Sequence, residues 1–188
     1  MNAGFYGPPG IADPETFHDA RIENHMLLET GHWSEFNLKE LFHIQGGRYR
    51  GVKELMGTYQ KGCSPVVSGT IRNNGVAGFS PRLPRFPRHR ITMAKKTDYS
   101  GQSFYQPFAF NATADVNILA PKFSMTQLSG LFLTVILSQE SVRYSWNKEA
   151  ALKRLKRTSI RLPVNAIGQP DCRFMDTYMR RLRVASPN

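Results

Sequence analysis

Residues 108–121 read FAFNATADVNILAP. Phe108, Phe110, Ala112, Ala114, Val116 and Ile118 alternate with Asn111, Thr113, Asp115 and Asn117. A two-residue period of this length predicts a half-buried strand, long enough to bend, with its apolar face on a core. Other strand signals surround it. ITMA (91–94) sets Ile91 and Met93 on one face. SPVVSGTIRNNGVAGFS (64–80) is β-rich on either side of Asn73-Asn74-Gly75, and Asn-Gly is a hairpin signal, with the two asparagines at an exposed tip. SIRLPV (159–164) reads as a short strand that Pro163 assigns to a sheet edge.

Helix signals are interleaved with these strands. Asp13-Pro14 is a cap followed by proline at the first helical position, which predicts a helix over 14–28. In NLKELFHIQGG (37–47), Asn37 caps and Glu40 stands three residues on. One helical turn and then a short strand are expected there. Ser124 and Gln127 have capping-box spacing, and Leu128, Leu131, Phe132, Val135 and Ile136 follow at helical intervals, so a helix is expected over 125–139. Asn147 is placed to cap a basic helix, 148–156, and Asp171 to cap a last helix, 172–183.

The chain has 188 residues, with 25 Lys+Arg against 14 Asp+Glu and a formal net charge of +11. Such an imbalance favours a polyanionic partner, nucleic acid ahead of a membrane surface. From Ile71 to Lys96 there is no acidic residue, while Arg72, Arg82, Arg85, Arg88, Arg90, Lys95 and Lys96 all fall in that interval. Within it, PRLPRFPRHR (81–90) repeats Pro-Arg three times. Proline at every third residue favours polyproline II, which would align Arg82, Arg85 and Arg88 along one side. Guanidinium forks bind phosphate and the guanine edge bidentately, and Asn73 and Asn74 have the amide chemistry for adenine. Arg48 and Arg50, just past the Gly46-Gly47 stop, join the DNA-binding candidates. Two other readings stay open for 81–90: a solvated basic loop, and an Arg-flanked PxxP ligand for an SH3-type domain. A second basic run holds Arg143, Lys148, Lys153, Arg154, Lys156, Arg157 and Arg161. Lys148, Lys153, Lys156 and Arg157 are its DNA-binding candidates, against the alternative of a solvated helix face. Tyr99, Phe104 and Tyr105 offer rings for stacking on unpaired bases, which keeps an RNA-binding reading open.

Signatures of catalysis are missing. His18, His25, His32, His43 and His89 form no HxxxH pair and none stands beside Cys63 or Cys172, so no zinc site is expected. No GxxxxGK[ST] loop and no Gly-rich strand-to-helix turn is present. Two distant cysteines read as free thiols of a reducing compartment. The most apolar stretch, LSGLFLTVIL (128–137), is too short to span a bilayer, so a cytoplasmic protein is expected.

Five fragments taken in order carry a resemblance. They are FNLKELFHIQGG (36–47), SGTIRNNGVAGFS (68–80), FAFNATADVNILAP (108–121), RYSWNKEAALKRLKRTSIRLPV (143–164) and QPDCRFMDTYMRRL (169–182). Together they resemble the target recognition domain of restriction-modification specificity (S) subunits, over about residues 34–183. The closing GQPDCRFMDTYM is more similar to the recognition domains of type IIB and fused restriction-methylation enzymes than to ordinary type I S subunits. The resemblance implies an α+β fold, a mixed β-sheet recognition domain with packed helices, flanked by the N-terminal and C-terminal helices. It implies non-catalytic reading of a half-site in double-stranded DNA. It also implies a partner, a methyltransferase or methyltransferase-nuclease subunit that carries S-adenosylmethionine, with no cofactor on this chain. The expected organisation is an N-terminal tail and helix (1–33), a recognition domain (34–168) and a C-terminal helix and tail (169–188). A standard S subunit has two such domains and two long spacer helices. One domain is seen here, so a half-subunit that pairs with itself, an excised domain or a stand-alone protein are all open. So is an interaction module that competes with or mimics an S subunit.

Overall fold

The computed structural model describes residues 28, 30–56, 62–96, 99–144 and 149–185, with side chains as far as 182. The chain divides into two compact units, residues 1–31 and 32–188, and every element below belongs to the second. The helix expected over 14–28 lies outside the described residues, apart from Leu28.

Strand β1 (Trp33–Asn37) runs into a single helical turn, α1 (Leu38–Leu41), and then into β2 (Phe42–Gly46). Asn37 makes the expected capping box: its side chain accepts from the Lys39 amide, and Glu40 accepts from the Asn37 amide. Next come β3 (Ser64–Val67), β4 (Val76–Ser80), β5 (Arg90–Ala94), β6 (Ser103–Gln106), β7 (Asn111–Ala112) and β8 (Val116–Pro121). Helix α2 (Gln127–Gln139), the turn α3 (Leu152–Leu155), β9 (Ser159–Pro163) and α4 (Cys172–Ala185) complete the unit.

Three sheets result. β8 sits between β2 and β5 in the order β2-β8-β5-β6, all neighbours antiparallel. β3 lies between β4, antiparallel, and β7, parallel. β9 pairs only with β1, which is the edge setting that Pro163 requires. Helix α2 packs on β6 and α4 packs on α2. Phe132 joins the layers, with Trp33 of β1 at 5.8 Å and Tyr178 of α4 at 5.8 Å between ring centroids.

Several expectations are corrected. The 108–118 alternation does bend, at a turn over Ala114–Asp115 that divides it into β7 and β8, but its faces are not as expected. Its polar face is not solvated, because Asn111, Thr113 and Asn117 are fully buried, while Phe108 on the apolar stripe is 69% exposed. Helix α2 is capped by Thr126 with Ser129, not by Ser124 with Gln127. The expected helix over 148–156 is one turn with Ala151 as its cap position; Asn147 and Lys148 lie outside the described residues. The strand expected to run up to Asn73 ends at Val67, so eight residues, 68–75, connect β3 to β4. Asn73, Asn74 and Gly75 then have φ of 50°, 57° and 77°, a left-handed stretch that asparagine tolerates and glycine prefers. Helix α4 begins as expected, with Asp171 Oδ1 accepting from the Phe174 amide at 2.9 Å.

Candidate nucleic-acid interface

Segment 81–90 is not a polyproline rod. The backbone bends at Pro81–Arg82, at Arg85 and at Arg88–His89, so the straight comb of Arg82, Arg85 and Arg88 is replaced by a folded loop. Phe86 is the reason. It is buried, stacks on Phe110 at 5.5 Å, and exchanges two backbone hydrogen bonds of 2.9 Å with it. Burying that ring outweighs the local preference set by the prolines. The side chains of Arg82, Arg85 and Arg88 remain exposed on either side of the anchor.

Asn111 fastens the first half of the loop. Its Oδ1 accepts from the Arg85 amide at 3.2 Å, and its Nδ2 donates to the Leu83 carbonyl at 3.3 Å and to Ser64 Oγ at 2.8 Å. Ser64 Oγ in turn donates to the Arg82 carbonyl at 2.9 Å. At the far end the His89 amide donates to the Gln106 carbonyl at 2.9 Å, and His89 Nδ1 meets the Tyr105 hydroxyl. Burial pushes the Tyr105 phenol above its ordinary range, with Arg88 pulling the other way.

Two more loops are tied to this one. Asn74 Nδ2 donates to the Tyr105 carbonyl at 2.8 Å, and Gln106 Nε2 donates to the Asn74 carbonyl at 3.1 Å. The 72–75 turn and the 88–90 end of the long loop therefore hold the same two residues of β6. The 47–50 loop lies against residues 112–114: the Arg48 amide donates to Ala112 O at 3.0 Å and the Ala114 amide to Tyr49 O at 2.7 Å. Gly47 permits that approach, since a Cβ there would stand 1.9 Å from the Thr113 carbonyl oxygen. The Arg82 guanidinium lies 5.8 Å from the Tyr49 ring centroid, which links this loop to the long one.

These ties sort the candidate residues into two groups. Arg48, Arg50, Arg72, Asn73, Arg82, Arg85 and Arg88 are exposed on three loops, each fastened to β6, to β7 or to the turn after β7, and the arginines among them carry no ion pair among the described residues. Asn74 belongs to the same turn, but its amide nitrogen is already engaged. Arg90 is half-buried and donates to the His89 carbonyl at 2.9 Å, so it braces the loop. Lys95 and Lys96 stand at the opposite end of β5 and join the second group. The Lys95 carbonyl accepts from the Ala150 amide at 3.1 Å, and Lys96 faces Glu149 at 4.0 Å. Asn117 Nδ2 holds the Ala150 carbonyl at 2.6 Å, just before α3 with its exposed Lys153; Lys156 and Arg157 follow, also exposed. Lys148 lies outside the described residues.

The stacking trio expected from Tyr99, Phe104 and Tyr105 is not presented as a unit, because Tyr105 is 3% exposed and lies under α2. Sequence reasoning missed Ser64, Tyr49 and the buried Asn111. Only Asn111 had a signal, as an amide on the polar face of a strong alternation. Among the described residues no group of His, Cys, Asp and Glu is arranged to hold a metal ion, and no helix is long and apolar enough to cross a membrane.

The chain matches the family model of the type I restriction modification DNA specificity domain over residues 31–187. It is 28% identical over 151 residues to the specificity subunit S.BcgI of a type II restriction enzyme of Heyndrickxia coagulans, covering 80% of this chain and 43% of that protein. Among solved structures it is similar to the type I restriction-modification S subunit of M. genitalium, with a TM-score of 0.61 at 13% identity, over 92% of this chain and 43% of the other. The HsdS subunit of Thermoanaerobacter tengcongensis gives 0.57 at 15% identity, over 91% and 44%. These structures establish the likeness of fold. The chain spans less than half the length of each of these relatives.

Proposed function

The chain belongs to the type I restriction modification DNA specificity domain family, and on that premise we propose that it is a non-catalytic module that reads a short half-site in double-stranded DNA. One observation carries the reading. Three loops that present Arg48, Arg50, Arg72, Asn73, Arg82, Arg85 and Arg88 are fastened to β6, to β7 and to the turn after β7 by side-chain amides and main-chain bonds. Arginine and asparagine are the side chains that pair bidentately with guanine and adenine edges, and a fixed backbone fixes where they reach. Lys95, Lys96, Lys153, Lys156 and Arg157 act as phosphate-holding point charges.

The partner we propose is a methyltransferase, or methyltransferase-nuclease, subunit that carries S-adenosylmethionine, with this chain holding no cofactor. The relatives' names support this, since each is called a specificity or S subunit. Pairing of two copies would supply the second half-site, and a cytoplasmic location follows from the same role. A PxxP ligand role finds less support, because Phe86 is buried and the loop is held at both ends.

A selection from random duplexes, with the chain alone and with a candidate methyltransferase subunit, tests the reading. The expected result is a short enriched sequence and steeply salt-dependent binding, each neutralised phosphate adding about −0.9 to the log–log slope. The purified chain supplied with S-adenosylmethionine and magnesium should transfer no methyl group. Methyl transfer that a point mutation in this chain abolishes overturns the non-catalytic assignment, and a flat salt response overturns the DNA-binding one.

A further inference from the structure

An apolar groove of about 510 Å³ opens beside the 72–75 turn, walled by Pro65, Val76, Phe79, Pro107 and Phe108, with Asn73 also lining it. Phe108 is 69% exposed. Phe79, 40% exposed, lines the same groove, so the two rings and the hollow form a contiguous apolar patch, the kind of surface that marks a contact site. The backbone around Phe108 is firmly held. Two residues before it, Gln106 is bonded to Asn74 and His89; two residues after it, Phe110 is bonded to Phe86. Phe108 therefore projects from a short link clamped at both ends by the two loops that present Asn73, Arg85 and Arg88.

The polar groups of the groove are unequal. Asn74 donates its amide to the Tyr105 carbonyl, and Gln106 divides its amide between Asn74 O and Thr92 Oγ1. Asn73 is exposed, and among the described residues its side chain has no hydrogen-bond partner. No acidic residue lines the groove, so a polyanion meets no repulsion there. An open amide beside an exposed aromatic ring and an apolar hollow suits one feature of the DNA major groove. The C5-methyl group of a pyrimidine is the apolar feature there, and phenylalanine is among the side chains that contact it.

We propose that Phe108 is a specificity-determining residue that reads a pyrimidine C5-methyl group, with that methyl seated at the mouth of the groove beside Asn73. The inference rests on the DNA-reading function proposed above. Thymine and 5-methylcytosine present the same methyl, and the experiment separates them.

The chain's preferred duplex is first obtained by selection. Each thymine in it is then replaced singly by deoxyuridine, and each cytosine singly by 5-methylcytosine, for the wild type, Phe108→Ala, Phe108→Leu and Asn73→Gly. One thymine-to-deoxyuridine change should weaken wild-type binding about fourfold, the effect of losing one buried methyl. Phe108→Ala should bind the unmodified site more weakly and be indifferent to that same change, whereas Phe108→Leu and Asn73→Gly should still respond to it. If the sensitive position is instead a cytosine whose methylation tightens wild-type but not Phe108→Ala binding, 5-methylcytosine is the source. Equal sensitivity in wild type and Phe108→Ala, or no methyl-sensitive position, overturns the inference while leaving sequence-specific binding intact. Absence of any sequence preference in the wild type overturns both. Melting curves confirm that the variants fold, as expected at so exposed a position.

Discussion

The two basic regions of this molecule are supported to different degrees. Around residues 82–90 the charged side chains are loose but the backbone beneath them is pinned: Asn111 holds Leu83 and Arg85, Phe110 holds Phe86, and Gln106 holds His89. Around residues 150–157 the holds are spaced further apart: Asn117 holds Ala150, Leu155 is buried and Thr158 is bonded to Leu38 and Tyr144, while Lys153 rides between them on a single helical turn whose cap position, Ala151, makes no side-chain cap bond. Reading a base edge needs a side chain placed to within a fraction of an ångström, because bidentate geometry tolerates little error. Holding a phosphate needs only charge at about the right distance. The difference in backbone support thus matches the difference in proposed task, and the comparison can be attacked at each of its supports.

The largest effect is expected at Asn111. It is fully buried, and its one amide serves the Arg85 amide, the Leu83 carbonyl and Ser64. Asn111→Ala leaves several of these groups without a partner and should lower stability by about 2–3 kcal/mol. It should also release the loop, so sequence preference falls further than non-specific affinity does. Denaturant unfolding and binding to preferred and scrambled duplexes measure the two effects. Lost stability with sequence preference unchanged would show that the pinning of 82–85 is architectural only.

The next effect belongs to the presented side chains. Arg85→Ala removes an exposed group and leaves the loop bonds in place, and Asn73→Gly removes the amide at a φ of 50° that glycine adopts without strain. Each should cost the preferred site roughly 1–3 kcal/mol and leave non-specific binding nearly unchanged. Profiling both variants against a duplex library checks this, and a uniform loss across all sequences would move them to the phosphate-holding group.

These supports were only partly legible in the sequence. The capping box at Asn37, the edge strand with Pro163 and the Asp171 cap are local devices, and local spacing revealed them. The alternation at 108–118 was visible as well, but its meaning was inverted on the polar side. Asn111 and Asn117 read as solvent-facing because nothing nearby in sequence covers them. The covers arrive from far along the chain, residues 82–85 over Asn111 and Ala150 over Asn117. For the same reason the Pro-Arg triplets suggested a straight rod: the partner that bends them, Phe110, is 24 residues beyond Phe86. The charged residues were found from composition. Their division into two runs was visible too, but the side on which Lys95 and Lys96 fall was not, because they sit a few residues from Arg90 in sequence but lie across the length of β5 from it.

The smallest effect should come from the exposed lysine on the α3 turn. Lys153 is exposed, and the described residues give it no hydrogen bond or ion pair. Replacing it by alanine removes one charge and disturbs no packing, so folding stability should stay within about 0.5 kcal/mol of the wild type. Binding should weaken for all sequences by the same factor. The log–log salt slope should become shallower by about one unit, which is the signature of one lost phosphate contact. Lys96→Ala makes the informative contrast. Lys96 faces Glu149, so part of its charge is already offset within the protein, and its loss should change the slope by less. Titrations of one specific and one scrambled duplex across a range of salt concentrations give all of these numbers. A Lys153 variant that alters sequence preference, rather than slope, would mean that a single uncapped turn can place a side chain as well as the pinned loop does. The contrast between the two regions would then fail as an account of which one reads.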